Sequence, residues 1–298
     1  MLYAKLVLMA LFWSGVFPAI NIVLQGFGIF TSVFIRHAIA AALLFALMFW
    51  REGRLRRLSP REAVMVVGLG LFGITMYNSL FTWGLSLVEA SRAALIVPTN
   101  PAFTALFAVI FLKERFGLWR AVGVALSVCG ALWVLARGDP GAFLTFEFTK
   151  GELILVLCIF MWSAYTILGR IALSTLSPLA LTAYVMLAGG VPTAIPAWFE
   201  HSPLTGVPWK SWAAMAYLIV FGTVIPFLWF SEGVKALGAA RAAQFISLVP
   251  PLAVAESVLL LGEPFTPAMG VGTLLVVVGL YLTNRPVKGG RPAPPLRA

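Results

Sequence analysis

Two stretches of this 298-residue sequence decide how the chain folds: SRAALIVPTNP at residues 91–101 and ARAAQFISLVPP at residues 240–251. Each places prolines and an amide side chain inside an otherwise apolar run. Proline lacks the amide hydrogen that the interior of an α-helix requires, so an apolar helix that contains it is interrupted there. The two stretches begin 149 residues apart, which is half the chain length, so the same interruption occurs twice.

The composition indicates an integral membrane protein. Hydrophobic residues make up 61% of the chain, charged residues only 11%, and the mean hydropathy is +0.97. A soluble core of this size cannot bury so much apolar surface. A helix needs about 20 apolar residues to cross a bilayer. The runs of that length are residues 5–24, 29–50, 63–86, 90–111, 118–136, 152–172, 177–198, 211–231, 236–261 and 267–284.

These runs are continuous rather than alternating, so they predict an all-α integral membrane protein with ten transmembrane helices and not a β-barrel. The gaps between them are short, so we expect no appended soluble domain. The first run follows Lys5 and has the pattern of a signal peptide. Because the run at residue 152 repeats it, we interpret it as a membrane span.

Basic residues predict the orientation. With a cytoplasmic N-terminus, most of the 21 lysines and arginines fall on the cytoplasmic side, including the loop REGRLRRLSPRE at residues 51–62. Those on the other side are Arg92, Arg137, Lys150 and Lys210. The positive-inside rule therefore predicts a multi-pass protein of the cell inner membrane with cytoplasmic N- and C-termini. The net charge of +10 reflects this topology and does not indicate a nucleic-acid partner.

The two halves of the chain match when the sequence is shifted by 149 residues. The matching pairs include Trp13 with Trp162, Ser14 with Ser163, Arg92 with Arg241 and Pro101 with Pro250. Five spans in each half is an odd number, so the second half enters the membrane from the opposite side. The sequence thus predicts two inverted five-helix repeats, residues 1–149 and 150–298, the second ending in a basic tail. Inverted repeats are typical of secondary transporters.

The most similar parts of the halves are ASRAALIVPTNPAFTALFAVIFLKERFGLWRAVGV at residues 90–124 and AARAAQFISLVPPLAVAESVLLLGEPFTPAMGVGT at residues 239–273. With ten spans and two halves, they resemble the EamA branch of the drug/metabolite transporter superfamily. Within it, the chain is most similar to YddG-type amino acid exporters. The resemblance implies a basket of ten helices around a central cavity, with the fifth and tenth helices outside it.

The fifth and tenth runs agree with this arrangement on a separate ground. Each carries two glycines at heptad spacing, Gly123 with Gly130 and Gly272 with Gly279. A stripe of small residues lets two membrane helices approach closely. We therefore predict that each of these helices has one small-residue face for close helix packing.

Four prolines mark the predicted helix breaks: Pro98, Pro101, Pro250 and Pro251. They lie near the middle of the fourth and ninth spans. Freed backbone is tolerated in hydrocarbon only against protein or a water-filled cavity. Interrupted helices at matching positions of two repeats are typical of a transport site, and the alternative is a packing kink stabilised by neighbouring helices.

Aromatic and neutral polar residues near the breaks predict a substrate-binding cavity. The candidate residues are Trp13, Ser14, Tyr77, Asn78, Phe81, Asn100, Trp162, Tyr165 and Gln244. Trp13 and Trp162 occur mid-span at the same repeat position, which an interfacial aromatic belt does not explain. Aromatic walls with a few polar groups are usual in small-molecule sites, and ordinary core packing is the alternative for each residue alone.

Charged residues are scarce along the predicted pathway. The one aspartate, Asp139, lies in a loop, and the first span has no acid. A near-neutral cavity favours zwitterions or uncharged solutes over cations. We interpret Glu256 as an acid that extends to the membrane interface or is paired there. A role in proton coupling is the alternative. For Arg36 and His37 we favour structural roles, as partners of a helix end or of a carboxylate. The alternative is that Arg36 binds an anionic group.

Enzyme motifs are missing from the sequence. With His37, His201 and one aspartate, neither a metal cluster nor a Ser-His-Asp arrangement can be built, so we expect no catalytic residue, metal or cofactor. The prediction is a secondary transporter that exports small organic solutes, most of all amino acids including aromatic ones, by alternating access. Its partners are the small-molecule substrate and the lipid bilayer. Another metabolite or drug class, or a channel-like pore, is the alternative.

Overall fold

A computed structural model describes most of the chain. The described residues are 1–53, 55–90, 93, 96–97, 100, 103–104, 107, 110, 117–135, 138–139, 141, 149–262 and 264–283. Within these ranges the protein consists of helices joined by short turns, without a β-strand. The all-α prediction is confirmed for this part of the chain.

The helices of the described ranges follow one another along the chain with few residues between them. They are α1 (Leu2–Ser14), α2 (Val16–Val23), α3 (Ile29–Glu52), α4 (Pro60–Gly70), α5 (Tyr77–Leu85), α6 (Leu118–Leu135), α7 (Lys150–Ala172), α8 (Pro178–Gly190), α9 (Ala194–Glu200), α10 (Trp209–Ile219), α11 (Ile225–Leu237), α12 (Ala239–Gln244), α13 (Val249–Leu261) and α14 (Pro267–Thr283). Two π-helical turns, Leu71–Met76 and Val220–Val224, join α4 to α5 and α10 to α11. Two 3-10 turns, Val191–Thr193 and Phe245–Leu248, join α8 to α9 and α12 to α13.

Six helical segments in the described ranges are long and apolar enough to cross a membrane. They are Leu2–Val23, Ile29–Glu52, Pro60–Leu85, Lys150–Ala172, Pro178–Glu200 and Trp209–Leu237, and two shorter apolar helices are Ala121–Gly130 and Pro267–Gly279. The predicted fourth run lies largely outside the described residues. The ninth run is divided into α12, a 3-10 turn and α13. The count of ten spans therefore stays a prediction.

Local sequence fixes where several helices begin and end. The Ser59 hydroxyl accepts a hydrogen bond from the Glu62 amide at 3.3 Å, and Glu62 Oε2 accepts one from the Ser59 amide at 2.9 Å. This capping box starts α4, and Thr149 with Glu152 forms the same box before α7. At the end of α3, Gly53 adopts a left-handed conformation with φ of 67°, which favours glycine because it has no Cβ.

Equivalent helices of the two halves begin 149 residues apart. The pairs of first residues are Ile29 and Pro178, Pro60 and Trp209, and Leu118 and Pro267, and the π-helical turns begin at Leu71 and Val220. Agreement at a single offset in four places is what a repeated fold requires. These positions support the predicted repeat, whose boundaries stay a prediction.

Helices α6 and α14 pack against each other through their glycines. A Cβ atom on Gly130 would lie 2.9 Å from the carbonyl oxygen of Gly272, and one on Gly279 would lie 2.5 Å from that of Gly123. The two contacts exchange under the 149-residue shift. Close packing through this small-residue face, predicted from the heptad spacing, is confirmed.

The two halves also approach closely where α4 meets α8. A Cβ atom on Gly70 would lie 2.7 Å from the amide nitrogen of Gly189, and one on Gly189 would lie 2.3 Å from the carbonyl oxygen of Gly70. Backbone cannot move aside as a flexible side chain can. Glycine at both positions is therefore what lets the third and seventh spans touch.

We expect Gly70→Ala to lower the stability of the protein by about 1–3 kcal/mol, because the added methyl group overpacks a contact made of backbone. The matched control is Gly68→Ala in the same helix, where a Cβ atom would meet nothing within 4 Å. That change should leave stability unchanged or raise it by about 0.5–1 kcal/mol through helix propensity. Thermal unfolding in detergent measures both variants, and equal unfolding temperatures would contradict the close approach.

Candidate substrate site

A cavity lies between the central helices, with about 520 Å³ of empty space, part of it open to the surroundings. The side chains that line it are Trp13, Val16, Phe17, Arg36, Tyr77, Asn78, Phe81, Val97, Asn100, Trp162, Phe227, Ile246 and Val249. They come from both halves of the chain. Aromatic rings dominate, as in many small-molecule sites.

The cavity brings together most of the candidate residues predicted from the sequence. Those that line it are Trp13, Tyr77, Asn78, Phe81, Asn100 and Trp162. Ser14 is buried beside Trp13 without lining the cavity, and Tyr165 lines a smaller neighbouring pocket with Phe230. The side chain of Gln244 lies outside the described part of the structure.

The two repeat-related tryptophans touch each other. The ring centroids of Trp13 and Trp162 are 5.4 Å apart with the planes at 84°, an edge-to-face contact. Phe227 packs against both rings at 5.7 Å, and Tyr77 lies 5.2 Å from Trp162. Such pairs contribute about 0.5–1.5 kcal/mol beyond the area they bury. Direct contact between residues 149 apart places the cavity where the two halves meet.

A turn in the first span shapes one wall. The span changes from α1 to α2 at Gly15, where a Cβ atom would lie 2.3 Å from the Tyr217 hydroxyl oxygen. That hydroxyl donates to the Phe12 carbonyl at 2.8 Å. Pro18 lacks the amide hydrogen that would bond the Ser14 carbonyl four residues earlier. Glycine and proline together explain why the helix turns next to Trp13, a break that the sequence analysis did not predict.

The π-helical turn of the third span positions Tyr77 and Asn78. The turn covers Leu71–Met76, and Asn78 Nδ2 donates to the carbonyls of Gly73 and Ile74 at 3.4 and 3.2 Å. A π-turn inserts an extra residue into the helical ladder and leaves carbonyls in need of other donors. Asn78 satisfies them and is held in place beside the cavity.

Arg36 is a cavity residue in the structure. Its Nε donates to the Thr223 hydroxyl at 2.6 Å and its Nη2 donates to the Gly222 carbonyl at 3.1 Å. Pro226 has no amide hydrogen for the Gly222 carbonyl four residues earlier, so the arginine takes the place of that donor. We favoured a structural role for Arg36, as the partner of a helix end or of a carboxylate. This interpretation is incomplete, because its partners are a hydroxyl and a mid-span carbonyl. The side chain also lines the cavity.

His37, the neighbour of Arg36, has a different environment. It is fully buried, and its Nδ1 lies 2.7 Å from the Val33 carbonyl oxygen one helical turn earlier. Its Cβ faces Gly190 of α8, where an added Cβ would lie 3.0 Å away. His37 is absent from the cavity lining, so its contacts agree with the structural role expected for it.

The predicted helix-breaking prolines can be placed in the second half only. Pro98 and Pro101 lie outside the described residues. Pro250 and Pro251 lie in the first turn of α13, directly after the 3-10 turn Phe245–Leu248. Proline is well tolerated there, because first-turn amides have no helical acceptor. The ninth run is thus interrupted one turn before the prolines rather than at them.

Ser14 and Ser163, equivalent residues of the two halves, have different partners. The Ser14 hydroxyl lies 2.6 Å from the Leu11 carbonyl oxygen and 2.9 Å from Glu256 Oε1. The Ser163 hydroxyl accepts from the Thr104 hydroxyl at 3.2 Å. Glu256 therefore has a hydrogen-bond partner in the first span, Leu2–Val23, and its placement at the membrane interface stays a prediction.

Comparison with known proteins assigns the fold to a family. The model of the EamA-like transporter family matches the chain twice, over residues 2–136 and 149–285. This chain belongs to that family. It is therefore a multi-pass membrane transporter of the drug/metabolite transporter superfamily and not an enzyme, as the sequence predicts.

Relatives of this EamA-family transporter match over nearly their whole length. The uncharacterised transporter YyaM of Bacillus subtilis (strain 168) is 29% identical over 285 residues, 95% of this chain and 93% of its own. A probable terminal-alkyne amino-acid exporter of Streptantibioticus cattleyicolor is 29% identical over 288 residues, covering 96% and 94%. One solved crystal structure, 21% identical, matches with a TM-score of 0.70 over 94% and 95% of the two chains and shows the same fold.

Several cavity residues were not predicted from the sequence, although the repeat could have revealed them. Asn78 and Asn100 were predicted, and the residues 149 positions later, Phe227 and Val249, also line the cavity. The same shift relates Val97 to Ile246 and Trp13 to Trp162. Four repeat-related pairs therefore line the cavity. The sequence signal for Arg36 is indirect. Pro226 has no amide hydrogen for the Gly222 carbonyl, so the sequence predicts that this carbonyl needs another donor.

We expect Trp162→Ala in the EamA-family transporter to change the relative transport rates of bulky aromatic and small amino acids. Loss of an aromatic contact of about 1 kcal/mol changes a rate ratio about fivefold. The matched control is Trp198→Ala at the end of α9, where the side chain is 76% exposed. That variant should keep the wild-type ratio in proteoliposome uptake. If Trp162→Ala leaves these rate ratios unchanged at a normal yield of folded protein, Trp162 serves core packing and not substrate selection.

Proposed function

We propose that this transporter exports amino acids, aromatic ones included, by alternating access through the central cavity. The observation that carries the proposal is the cavity itself, an aromatic enclosure with a few fixed polar groups at the junction of the halves. Aromatic walls suit the side chains of aromatic amino acids, and the polar groups suit a small zwitterion. The probable terminal-alkyne amino-acid exporter among its relatives and the resemblance to YddG-type exporters support the same substrate class.

The proposal includes two inverted five-helix repeats, residues 1–149 and 150–298, with ten spans in total. Three observations support it: the family model matches each half, equivalent helices begin 149 residues apart, and repeat mates touch. A further contact between mates is the Ser127 hydroxyl, which donates to the Val276 carbonyl at 3.4 Å. Residues that touch their own repeat mates lie near the two-fold axis that relates inverted repeats.

Alternating access requires helices that bend near the substrate. The first span turns at Gly15, the third and eighth spans contain π-helical turns, and the ninth run contains a 3-10 turn. Each of these four segments contains, adjoins or hydrogen-bonds to a residue that lines the cavity, and the 3-10 turn Val191–Thr193 of the seventh span is not among them. Discontinuous helices around a fixed site are the usual means by which repeats rock against each other in carriers. We therefore place the moving elements in these four segments.

The decisive experiment is flux in proteoliposomes that contain the purified transporter. The panel holds aromatic and small amino acids, nucleosides and cationic drugs. We expect saturable uptake of amino acids that is stimulated by amino acid on the opposite side, because a carrier returns faster when loaded. Movement of the cationic drugs alone would overturn the substrate class. Unsaturable flux that ignores the opposite side would indicate a channel-like pore instead.

We expect both termini and the loop at residues 51–62 to face the cytoplasm of the cell inner membrane. Leu55 in this loop and its repeat mate Leu204 are both about half exposed and lie in loops. In a background without Cys129 and Cys158, an impermeant thiol reagent added to intact cells should label Leu204→Cys and spare Leu55→Cys. Labelling of both from the same side would contradict the inverted repeat, and the reverse pattern would contradict the orientation alone.

A further inference from the structure

Arg36 differs from the other cavity residues in its charge. It is the one charged side chain among the described residues that line the cavity, and it is 4% exposed. Its partners, the Thr223 hydroxyl and the Gly222 carbonyl, are neutral. In the described part of the chain, no carboxylate lies within salt-bridge distance of its guanidinium.

A guanidinium inside a membrane protein ordinarily has an anionic partner or lines a polar path, because an isolated charge in hydrocarbon is costly. The group has five N–H donors in a planar fork that matches the two oxygens of a carboxylate. Thr223 and Gly222 use two of these donors. The remaining three have no acceptor among the described residues, although the side chain borders an open cavity.

Two amide groups of the same cavity supply acceptors. Asn100 Oδ1 is buried and receives no hydrogen bond from the described residues. Asn78 uses its Nδ2 on backbone carbonyls, so its amide oxygen is the group that this side chain can offer to a ligand. Buried acceptors without a donor are rare in folded proteins. An ammonium group carries three N–H donors and no acceptor, so it complements these oxygens.

The polar and apolar linings divide between the halves. The polar lining residues all precede residue 150, whereas Trp162, Phe227, Ile246 and Val249 from the second half are apolar or present a ring. The repeat mate of Arg36 is Val185, which is buried and uncharged. A nearly two-fold cavity therefore has one charged side, and a zwitterion has one preferred orientation in it.

We propose that Arg36 binds the carboxylate of the transported substrate, while Asn78 and Asn100 receive its ammonium group and the aromatic rings enclose its side chain. This inference rests on the proposed function and deepens it. The substrate class is the α-amino acids with a free carboxylate, and the same charge repels amines and cationic drugs that have no anionic group.

Thr223 acts as a positioning residue for Arg36. Its hydroxyl accepts from Arg36 Nε at 2.6 Å and donates to the Leu218 carbonyl at 2.8 Å, which fixes the plane of the guanidinium against the π-helical turn. Thr223→Val keeps the shape and removes both bonds. We expect it to weaken carboxylate binding while the preference for carboxylates over amines persists, a pattern that general loss of folding does not produce.

The central test uses the wild-type transporter and three compounds that share one ring. Phenylalanine has both charged groups, 3-phenylpropionate lacks the ammonium and phenethylamine lacks the carboxylate. Competition against labelled phenylalanine in proteoliposomes should rank phenylalanine first, 3-phenylpropionate second and phenethylamine far behind. Removing one member of a buried charge pair lowers affinity on the order of 30-fold or more. The unlabelled acids and amine are also measured directly by thermal shift, so that the ranking does not require phenylalanine transport.

Variants then locate the effect. Arg36→Gln should abolish the difference between 3-phenylpropionate and phenethylamine in thermal shift, and Arg36→Lys should keep part of it because the charge remains without the fork. The matched control is Lys5→Gln, which removes one positive charge from a pair with Glu232 away from the cavity. It should bind all three compounds as the wild type does.

The outcomes separate this inference from the proposed function. Phenethylamine binding as tightly as 3-phenylpropionate to the wild type overturns the role of Arg36, even if phenylalanine is transported. Binding of 3-phenylpropionate without phenylalanine supports the carboxylate site and contradicts the amino-acid substrate. Binding of neither acid overturns the inference. If Arg36→Gln does not fold, the wild-type ranking together with Thr223→Val decides the question.

Discussion

Inside a bilayer, a backbone carbonyl that loses its helical donor must find another donor within the protein, and this constraint organises the centre of the transporter. Gly73 and Gly222 occupy the same repeat position in the two π-helical turns. Asn78 from the same span bonds the first carbonyl, whereas Arg36 from the other half bonds the second. Two groups that satisfy irregular backbone, Asn78 and Arg36, are thus also polar groups of the cavity lining.

The two halves share an architecture and differ in the chemistry they place on it. Ser163 is bonded by the neutral Thr104, while its repeat mate Ser14 lies against the carboxylate of Glu256. In the proposed alternating-access mechanism, a two-fold relation between the halves would let them exchange conformations. If the substrate is a zwitterion, as proposed, the differences in side chains favour one orientation of it, because a symmetric lining would bind it equally well in both directions.

Much of the fold follows from features that are local in the sequence. Apolar runs, heptad glycines and capping residues can each be recognised within one helix, so the all-α membrane fold and the small-residue packing faces of α6 and α14 could be predicted. Trp13 and Trp162 could be predicted as cavity-lining residues because the repeat distinguishes them.

The remaining features depend on contacts between distant segments. The turn at Gly15 packs directly against the Tyr217 hydroxyl. The π-helical turns depend on whether the neighbouring helices leave space for the extra residue. The environment of Arg36 is set by Thr223, 187 residues further along the chain. The sequence alone does not show that Arg36 and Thr223 are neighbours, and an intramembrane arginine is ordinarily expected to have a carboxylate partner. The place of Arg36 in the cavity therefore could not be predicted from the sequence.

For net export, the proposed carrier must also be able to return empty, and this requirement bears on how a fixed cation such as Arg36 can line the cavity. A bare guanidinium would make the empty state costly, because desolvation of an isolated charge in a membrane amounts to several kcal/mol, about 2.5–3.5 kcal/mol on insertion scales. The Thr223 hydroxyl and the Gly222 carbonyl lower that cost without neutralising the charge. A carboxylate from the protein would neutralise it and compete with the substrate. Neutral partners therefore keep the empty cavity tolerable and leave the charge available to each new ligand.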